Sequence, residues 1–520
     1  MRYIYKMLFI VSLLSCALCS CSDDNDGGEI VSPSDDVSNV INPVVGLKAK
    51  ATLHENEIEL SWVNPNNDHL LKVEIVYKAH GTETRASANP LLLDAVKGKR
   101  ETCIITVPKY DTYTISVTAL NKAGIRSKSC TVDVQPLKPR EIELISLPTF
   151  LGRADTLMRA MMDLMRGGPR SAWNTSYPKA TGPYWGGDAT VWGQGAGFSA
   201  YTALREASVG TDLEPYYVAM DESMLTSLNY FLTNDGGINA YGCYPANGND
   251  RFYDDNAWIG LDMIDLYTLT GKQKYLEKAV MVWEYLQKGT NNVAGGGIHW
   301  RELPPSVGKH TCSTAPGTVL AAKLYNATND TKYLNNAIEL YSWLKKTLQD
   351  PDDYLYWDNA REVDGEIQIG KEKYSYNTGQ PMQAAVLLYK ITGNHSYLTD
   401  AQNMARAAYS RWFRNYYSAP LKESFKIISG SNTWFNAILF RGYIELYKTE
   451  LAMNGKADRT YVSAYEKTMS HAWLSKCRQD TYLLNDDFTG NVSQTVWGIL
   501  TEGACVEMLA RLASLERDGI

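Results

Sequence analysis

The sequence predicts two folded parts: a small all-β sandwich over residues 43–136 and, over 141–520, an all-α domain of helical hairpins built as an (α/α)6 barrel. Three observations carry this. Apolar residues alternate with period two in the front part. They switch to a helical period beyond residue 141. Within that second stretch one helical-hairpin phrase recurs three times.

The 520 residues are 44% hydrophobic and 21% charged, an ordinary globular composition with room for two or three domains. A formal charge of −7 gives no basis for a nucleic-acid partner. Residues 1–20 read as a processing signal: Arg2 and Lys6 precede an apolar run, Met7 to Leu18, too short to span a bilayer. The run ends in Leu18-Cys19-Ser20-Cys21, which resembles a bacterial lipoprotein cleavage box with Cys21 as the acylated residue; Leu13 to Cys16 is a competing box. Ser22 to Asp26 resembles the acidic export tag of Bacteroidetes surface lipoproteins, and residues 21–42 read as a flexible tether. The expected location is therefore the outer membrane, held by a lipid anchor and exposed at the cell surface. Of the nine cysteines, the six beyond the signal form no CxxC, and the scattered histidines form no metal-ligand helix motif. One candidate disulfide is Cys103–Cys130.

In the front domain Ile58, Leu60 and Trp62 alternate, as do Val73, Ile75 and Tyr77, then Tyr113 to Ala119, then Val132 and Val134. Turn clusters Asn64-Pro65-Asn66-Asn67 and Asn121 to Gly124 separate them. Leu60 to Pro65 and Tyr113 to Gly124 resemble an immunoglobulin/fibronectin type III-like module. Its expected role is a spacer, with weak carbohydrate binding as the alternative.

The recurrent phrase is Leu266-Tyr267 to Tyr275-Leu276, Leu324-Tyr325 to Tyr333-Leu334, and Leu388-Tyr389 to Tyr397-Leu398. The second Tyr follows the first by eight positions each time, and the copies lie 58 and 64 residues apart. Gly271 and Gly393 read as helix stops, Pro316 and Pro381 as residues just inside helix starts. Counting outward gives twelve helices, near 152–166, 190–207, 213–233, 254–270, 273–289, 314–327, 331–349, 379–391, 395–414, 432–450, 458–476 and 490–516. Alternating inner and outer helices close into a barrel; an open solenoid is the structural alternative.

In a closed barrel the even-numbered helices are inner and begin at one end. Their leading loops then converge: Tyr184 to Gln194, Tyr253 to Asp255, His310 to Thr314, Tyr376 to Gln380, Ser431 to Trp434 and Thr489 to Asn491. Among them Asp254-Asp255 is a carboxylate pair at a helix start, suited to acid/base or nucleophilic work on a sugar. The plain alternative is a solvated helix start, where Asp is favoured anyway.

Residues 150 to 516 resemble glycoside hydrolase family 76, the endo-acting α-1,6-mannanases. The likeness rests on Asp254-Asp255-Asn256-Ala257-Trp258-Ile259-Gly260-Leu261, Gly295 to Arg301, Thr314-Ala315-Pro316, Tyr376-Asn377 and the hairpin phrase. It implies an (α/α)6 fold, no metal or cofactor, and retaining hydrolysis of the α-1,6-mannan backbone of yeast-type mannan, as polysaccharide or oligosaccharide. Carried over, Asp254 is the nucleophile and Asp255 the general acid/base. Retention wants carboxyls about 5–5.5 Å apart, against about 6.5–9.5 Å for inversion. Neighbouring Cα atoms lie about 3.8 Å apart, with side chains about 100° apart around a helix, which suits the shorter spacing. Asp254 is expected to stay ionised and Asp255 to hold its proton.

The expected substrate contacts are Trp185, Trp192, Trp300 and Trp434 as stacking platforms, Asp188, Gln194, Arg301, Asn377 and Gln380 as hydroxyl partners, and Tyr253 beside the acids. Each has a plainer reading: loop-packing core for the aromatics, helix capping for Asn377. Asp188 is the reserve carboxylate, and Trp258 reads as core. Tyr356 and Trp357 are further platform candidates. A cysteine nucleophile at His310-Thr311-Cys312 is disfavoured, and Gly295-Gly296-Gly297 reads as a tight hairpin under the site, not a phosphate cradle. The alternatives to hydrolysis are glycosyl transfer between α-mannosyl glycans and non-catalytic mannan binding.

Overall fold

A computed structural model describes residues 40–52, 56–80, 90–109, 111–136, 150–168, 170–180, 187–246, 248–303, 308–429 and 432–520. The signal segment, Cys21, most of the tether and Trp185 lie outside the described residues. The chain forms two compact units, divided between Glu141 and Ile142.

The front unit holds β1 (Val45–Ala51), β2 (Glu57–Val63), β3 (Leu70–Ala79), β4 (Leu91–Asp94), β5 (Arg100–Thr106), β6 (Tyr113–Asn121) and β7 (Cys130–Val134). They pair antiparallel as β1-β2-β5 and β4-β3-β6-β7. Alternation does the work: Ile58, Leu60 and Trp62 of β2 share one core with Val73, Ile75, Ile115 and Val117 of the other sheet. Trp62 satisfies its Nε1–H on Asn64 Oδ1 at 2.7 Å. The expected Cys103–Cys130 disulfide is absent. Both are free thiols, and Cys130 Sγ instead donates to the Val44 carbonyl at 3.1 Å.

Twelve helices follow among the described residues: α1 (Phe150–Met165), α2 (Val191–Ala207), α3 (Glu214–Asn229), α4 (Tyr253–Thr270), α5 (Gln273–Lys288), α6 (Thr311–Thr328), α7 (Thr331–Leu348), α8 (Ser375–Thr392), α9 (His395–Trp412), α10 (Thr433–Asn454), α11 (Thr460–Leu474) and α12 (Ile499–Asp518). The even-numbered six are buried over most of their length, whereas α5, α7 and α9 bury one stripe. Each inner helix contacts the next, and α12 contacts α2, so the ring closes and the open solenoid is excluded. The hairpin phrase is explained by its caps. Gly271, Asn329 and Gly393 end the inner helices in the left-handed region at φ 66°, 56° and 72°. Asp330 and Asn394 then cap α7 and α9 with side-chain oxygens.

Three starts differ from expectation. α6 begins at Thr311, not near 314, and α8 at Ser375, not near 379, so their prolines fall past the first turn. A proline lacks the N–H that position i−4 would accept, so the carbonyls of Cys312 and Asn377 lose their helical donor near the mouth. α12 begins at Ile499, not near 490.

Close approach of the inner helices depends on glycine. A Cβ on Gly442 would lie 2.5 Å from the Gly379 carbonyl oxygen, and one on Gly379 would lie 2.4 Å from Leu439 Cα. Deeper in the ring, Arg441 of α10 pairs with both oxygens of Glu507 of α12 at 2.6 and 2.9 Å. Asp262 of α4 accepts from Ser199 of α2 at 2.6 Å. We expect Gly442→Ala to cost about 1–3 kcal/mol or more, because backbone rather than a flexible side chain must yield. Urea unfolding of the variant against the wild type measures it.

Candidate active site

The start of α4 is clamped from three directions. Arg251, buried, sends Nε to Glu302 Oε2 at 2.7 Å and Nη1 to the Ile238 carbonyl at 2.8 Å. Tyr253 stacks on Tyr285 with centroids 4.6 Å apart, and Tyr285 donates to the Arg251 carbonyl at 2.9 Å. Asn256 exchanges bonds with the backbone of Tyr241 at 2.7 and 2.8 Å. Asp254 and Asp255 thus occupy the first turn of a helix whose entry cannot swing.

Both carboxyls line a cleft of about 620 Å³. Its aromatic wall is Trp192, Trp258, Tyr376, Trp434 and Phe435; Phe252 and Trp300 stand beside the acids. Tyr376 and Phe435 stack at 3.9 Å, and Trp258 meets Trp434 edge to face at 5.0 Å. The polar wall is His310, Asp358, Asn359 and Arg361. Asp358 accepts from Asn377 Nδ2 at 3.0 Å and from Asn359 Nδ2 at 2.9 Å, with His310 Nδ1 3.7 Å away.

The two acids differ in their donors. Asp254 accepts from Trp300 Nε1 at 3.1 Å and from the Asp255 N–H at 3.0 Å, and the Cys312 thiol donates to it as well. Burial raises Asp254 to about 7, held back by those donors. Asp255 is raised well above the carboxylate range, by burial first and then by the negative charges of Asp254 and Asp250. The sequence expectation that Asp254 stays fully ionised is therefore corrected, because burial acts on both; Asp254 remains the first to release its proton. Burial also raises the Cys312 thiol, and His310 is lowered to about 4 by burial and faces Asp358, so the two form no nucleophilic couple.

Of the other expected contacts, Trp192, Trp300 and Trp434 line the cleft. Several do not. Gln194 is buried in α2 and clamps the Trp173 backbone at 2.9 and 3.0 Å. Asp188 pairs with Arg170 at 3.2 Å and Lys179 at 3.4 Å. Arg301 pairs with Asp250 at 3.5 Å. Tyr253 is packed under Tyr285, and Gln380 is buried against Gln383. Asn377 is buried and reaches the cleft only by orienting Asp358. Tyr356 is fully buried, Trp258 is both core and cleft wall, and Trp357 lies outside the cleft. Gly295, Gly296 and Gly297 form the expected tight turn, all at positive φ, against Trp343.

Sequence reasoning missed Asp358, Asn359 and Arg361. Asn359 and Arg361 stand on the hairpin Asn359–Val363 and Glu366–Gly370, whose two-residue turn is Asp364-Gly365 with φ 52° and 80°, and Asp358 immediately precedes it. An Asp-Gly turn is a legible hairpin signal, and residues two apart share a face. Among the described residues no group of three or more His, Cys, Asp or Glu is placed to hold a metal ion.

A helical barrel with paired carboxyls in an aromatic-walled cleft has the make-up of a glycoside hydrolase. Residues 151–517 match the model of Glycosyl hydrolase family 76, and the chain belongs to that family. A family 76 mannosidase from Bacteroides thetaiotaomicron VPI-5482 is 45% identical, with TM-score 0.69, covering 71% of this chain and 100% of that one. A family 76 glycoside hydrolase from a bovine strain of that species is 39% identical, with TM-score 0.68, covering 92% of this chain and 100% of that one. An inactive variant of an α-1,6-mannanase from a Salegentibacter species, bound to α-1,6-mannotetrose and carrying alanine at two consecutive aspartates, shares the fold at 22% identity and TM-score 0.56, covering 70% and 99%. The chain spans about half the length of the curated relatives it matches, 48% for a fission-yeast protein 28% identical over 217 residues.

Raised carboxyls carry a cost in stability. Protons held by Asp254 and Asp255 in the native state are lost by the unfolded chain above the ordinary carboxylate value of 3.8. Their contribution is present below that pH and disappears as pH rises through about 7 and beyond. Asp255→Asn should therefore melt higher than wild type at pH about 8, with the gap closing toward pH about 4; thermal unfolding across that range measures it.

Proposed function

We propose that the protein is an endo-acting α-1,6-mannanase that cleaves the α-1,6-mannan backbone with retention, using Asp254 as nucleophile and Asp255 as general acid/base. The single observation behind the assignment of roles is the unequal hydrogen bonding of the two neighbouring acids. Trp300, the Asp255 N–H and Cys312 favour the ionised form of Asp254, whereas Asp255 faces only desolvation and like charge. As pH rises past about 7 the pair then holds one proton, on the residue that must give it to the leaving oxygen. The family membership and the α-1,6-mannanase neighbour with its paired aspartates replaced support the same reading.

The cleft walls suit a hexose chain. The flat aromatic side offers stacking surfaces for C–H faces. Asp358, Asn359 and Arg361 also line the cleft and are held by bonds to one another, which presents fixed polar groups to sugar hydroxyls. In the front unit, the order β1-β2-β5 and β4-β3-β6-β7 supports a fibronectin type III-like spacer. Acylation at Cys21, read from the Leu18 to Cys21 box, would tether the enzyme to the outer membrane.

The test is hydrolysis of debranched yeast mannan, with anomeric configuration followed by NMR and products sized. Wild type should release α-configured ends first and shorter oligosaccharides; longer products point to glycosyl transfer, and β-configured ends overturn retention. Asp254→Asn and Asp255→Asn should each lower kcat by about 10²–10⁴-fold or more. If both retain full activity, the reading fails. For wild type, kcat/KM should rise as pH rises through about 7, where Asp254 loses its proton, and fall at higher pH as Asp255 loses its own. Trp300→Phe, which removes a donor to the Asp254 carboxylate, should move the acid limb to higher pH.

A further inference from the structure

We infer that the barrel mouth holds a second glycan-binding cavity, beyond Trp192 from the acids, that takes α-1,6-linked mannosyl units of the same chain which do not react. The inference rests on reading the first cleft as a mannanase site. A cavity of about 440 Å³ opens where α2, α10 and α12 begin. Thr190 and Trp192 line both it and the larger cleft, so the two spaces adjoin across one side chain. Neither Asp254 nor Asp255 lines the second space.

The lining chemistry points to a neutral polyol. Thr175, Asn432, Thr433, Thr501 and Asp486 supply hydroxyls, an amide and a carboxylate, and among the described residues no lysine or arginine lines the cavity, which disfavours an anion. Asp486 Oδ1 accepts from Thr501 Oγ1, while Oδ2 receives no donor among the described residues, leaving an acceptor for a sugar hydroxyl. Trp192 is a fixed partition: it stands edge-on to Trp434 at 5.7 Å and lies nearly parallel to Phe435 at 6.4 Å. An α-1,6 linkage has one more rotatable bond than a linkage through a ring hydroxyl. A chain so linked can bend around such a partition and place sugars on both sides. Sugars held away from the reacting bond contribute to rate when their binding energy is realised in the transition state.

The experiment measures kcat/KM on unbranched α-1,6-mannooligosaccharides of increasing length. It compares wild type, Thr175→Trp, whose indole would fill the cavity from an exposed position, and Asp486→Ala as a second, smaller change. Calorimetric binding of the same oligosaccharides is measured in an Asp255→Asn background, with and without each change. Wild type should gain about tenfold or more with length, and both variants should lose most of that gain in rate and in affinity. A wild type with no gain, or variants that keep it, overturns the inference. Failure of wild type to cleave any length would sink the mannanase reading instead, and the binding arm alone then decides the cavity.

Discussion

Closure of the inner ring is the constraint on which the rest of this domain depends. Six helices can surround one axis only if neighbours approach closely, and the chain meets that demand with glycine. At the seam between the first and last inner helices, a Cβ on Gly503 would stand 2.8 Å from the Ala196 carbonyl oxygen, and one on Gly193 would stand 2.9 Å from Ile499 Cγ2. Two interfaces along the ring from the seam, Gly379 and Gly442 do the same for α8 and α10. Because the six helices are locked side by side, their first turns meet at one end, and five of them supply the walls of the cleft. The outer helices, each with one buried stripe, hold the ring from outside.

The acid pair shows how such a frame is used. Two carboxyls in one helical turn, flanked by aromatic rings, repel each other and are partly desolvated. Left free, α4 would relieve this by fraying. Arg251, Tyr253 and Asn256 prevent it by fixing the residues on either side to other elements. The strain stays where chemistry can draw on it, in a proton held above its usual range. Buried ion pairs deeper in the barrel behave differently: Arg441 and Arg511 hold Glu507 near 2, so that charge is fixed and does not titrate in ordinary conditions.

Much of this was legible in the sequence, for reasons that can be named. Periodicity separated the two units, and the spacing of Tyr267 and Tyr275 marked hairpins because left-handed caps fix where one helix ends and the next begins. The pair at 254–255 stood out because it sits at such a start. What did not read was how side chains turn within the first helical turn. Gln194, Gln380 and Asn377 are polar residues near the mouth, yet proximity along the chain does not say whether a side chain points into the cleft or back into the ring. Gln194 bonds backbone, Gln380 bonds Gln383, and Asn377 bonds Asp358 from behind the cleft wall. The hairpin bearing Asn359 and Arg361 was missed because helical period dominated the reading around it, although Asp364-Gly365 was there to be seen. Proline misled as well: Pro316 and Pro381 are usually first-turn residues, but here the helices run on ahead of them.

Trp258 and Trp434, from opposite sides of the ring, close over its centre, and beneath them Arg441, Glu507 and Asp262 occupy the axis. The barrel is thus a bowl with a sealed bottom and not a pipe. Whatever reaches the acid pair must therefore enter and leave by the same open end, so the first turns of the inner helices face both arrival and departure.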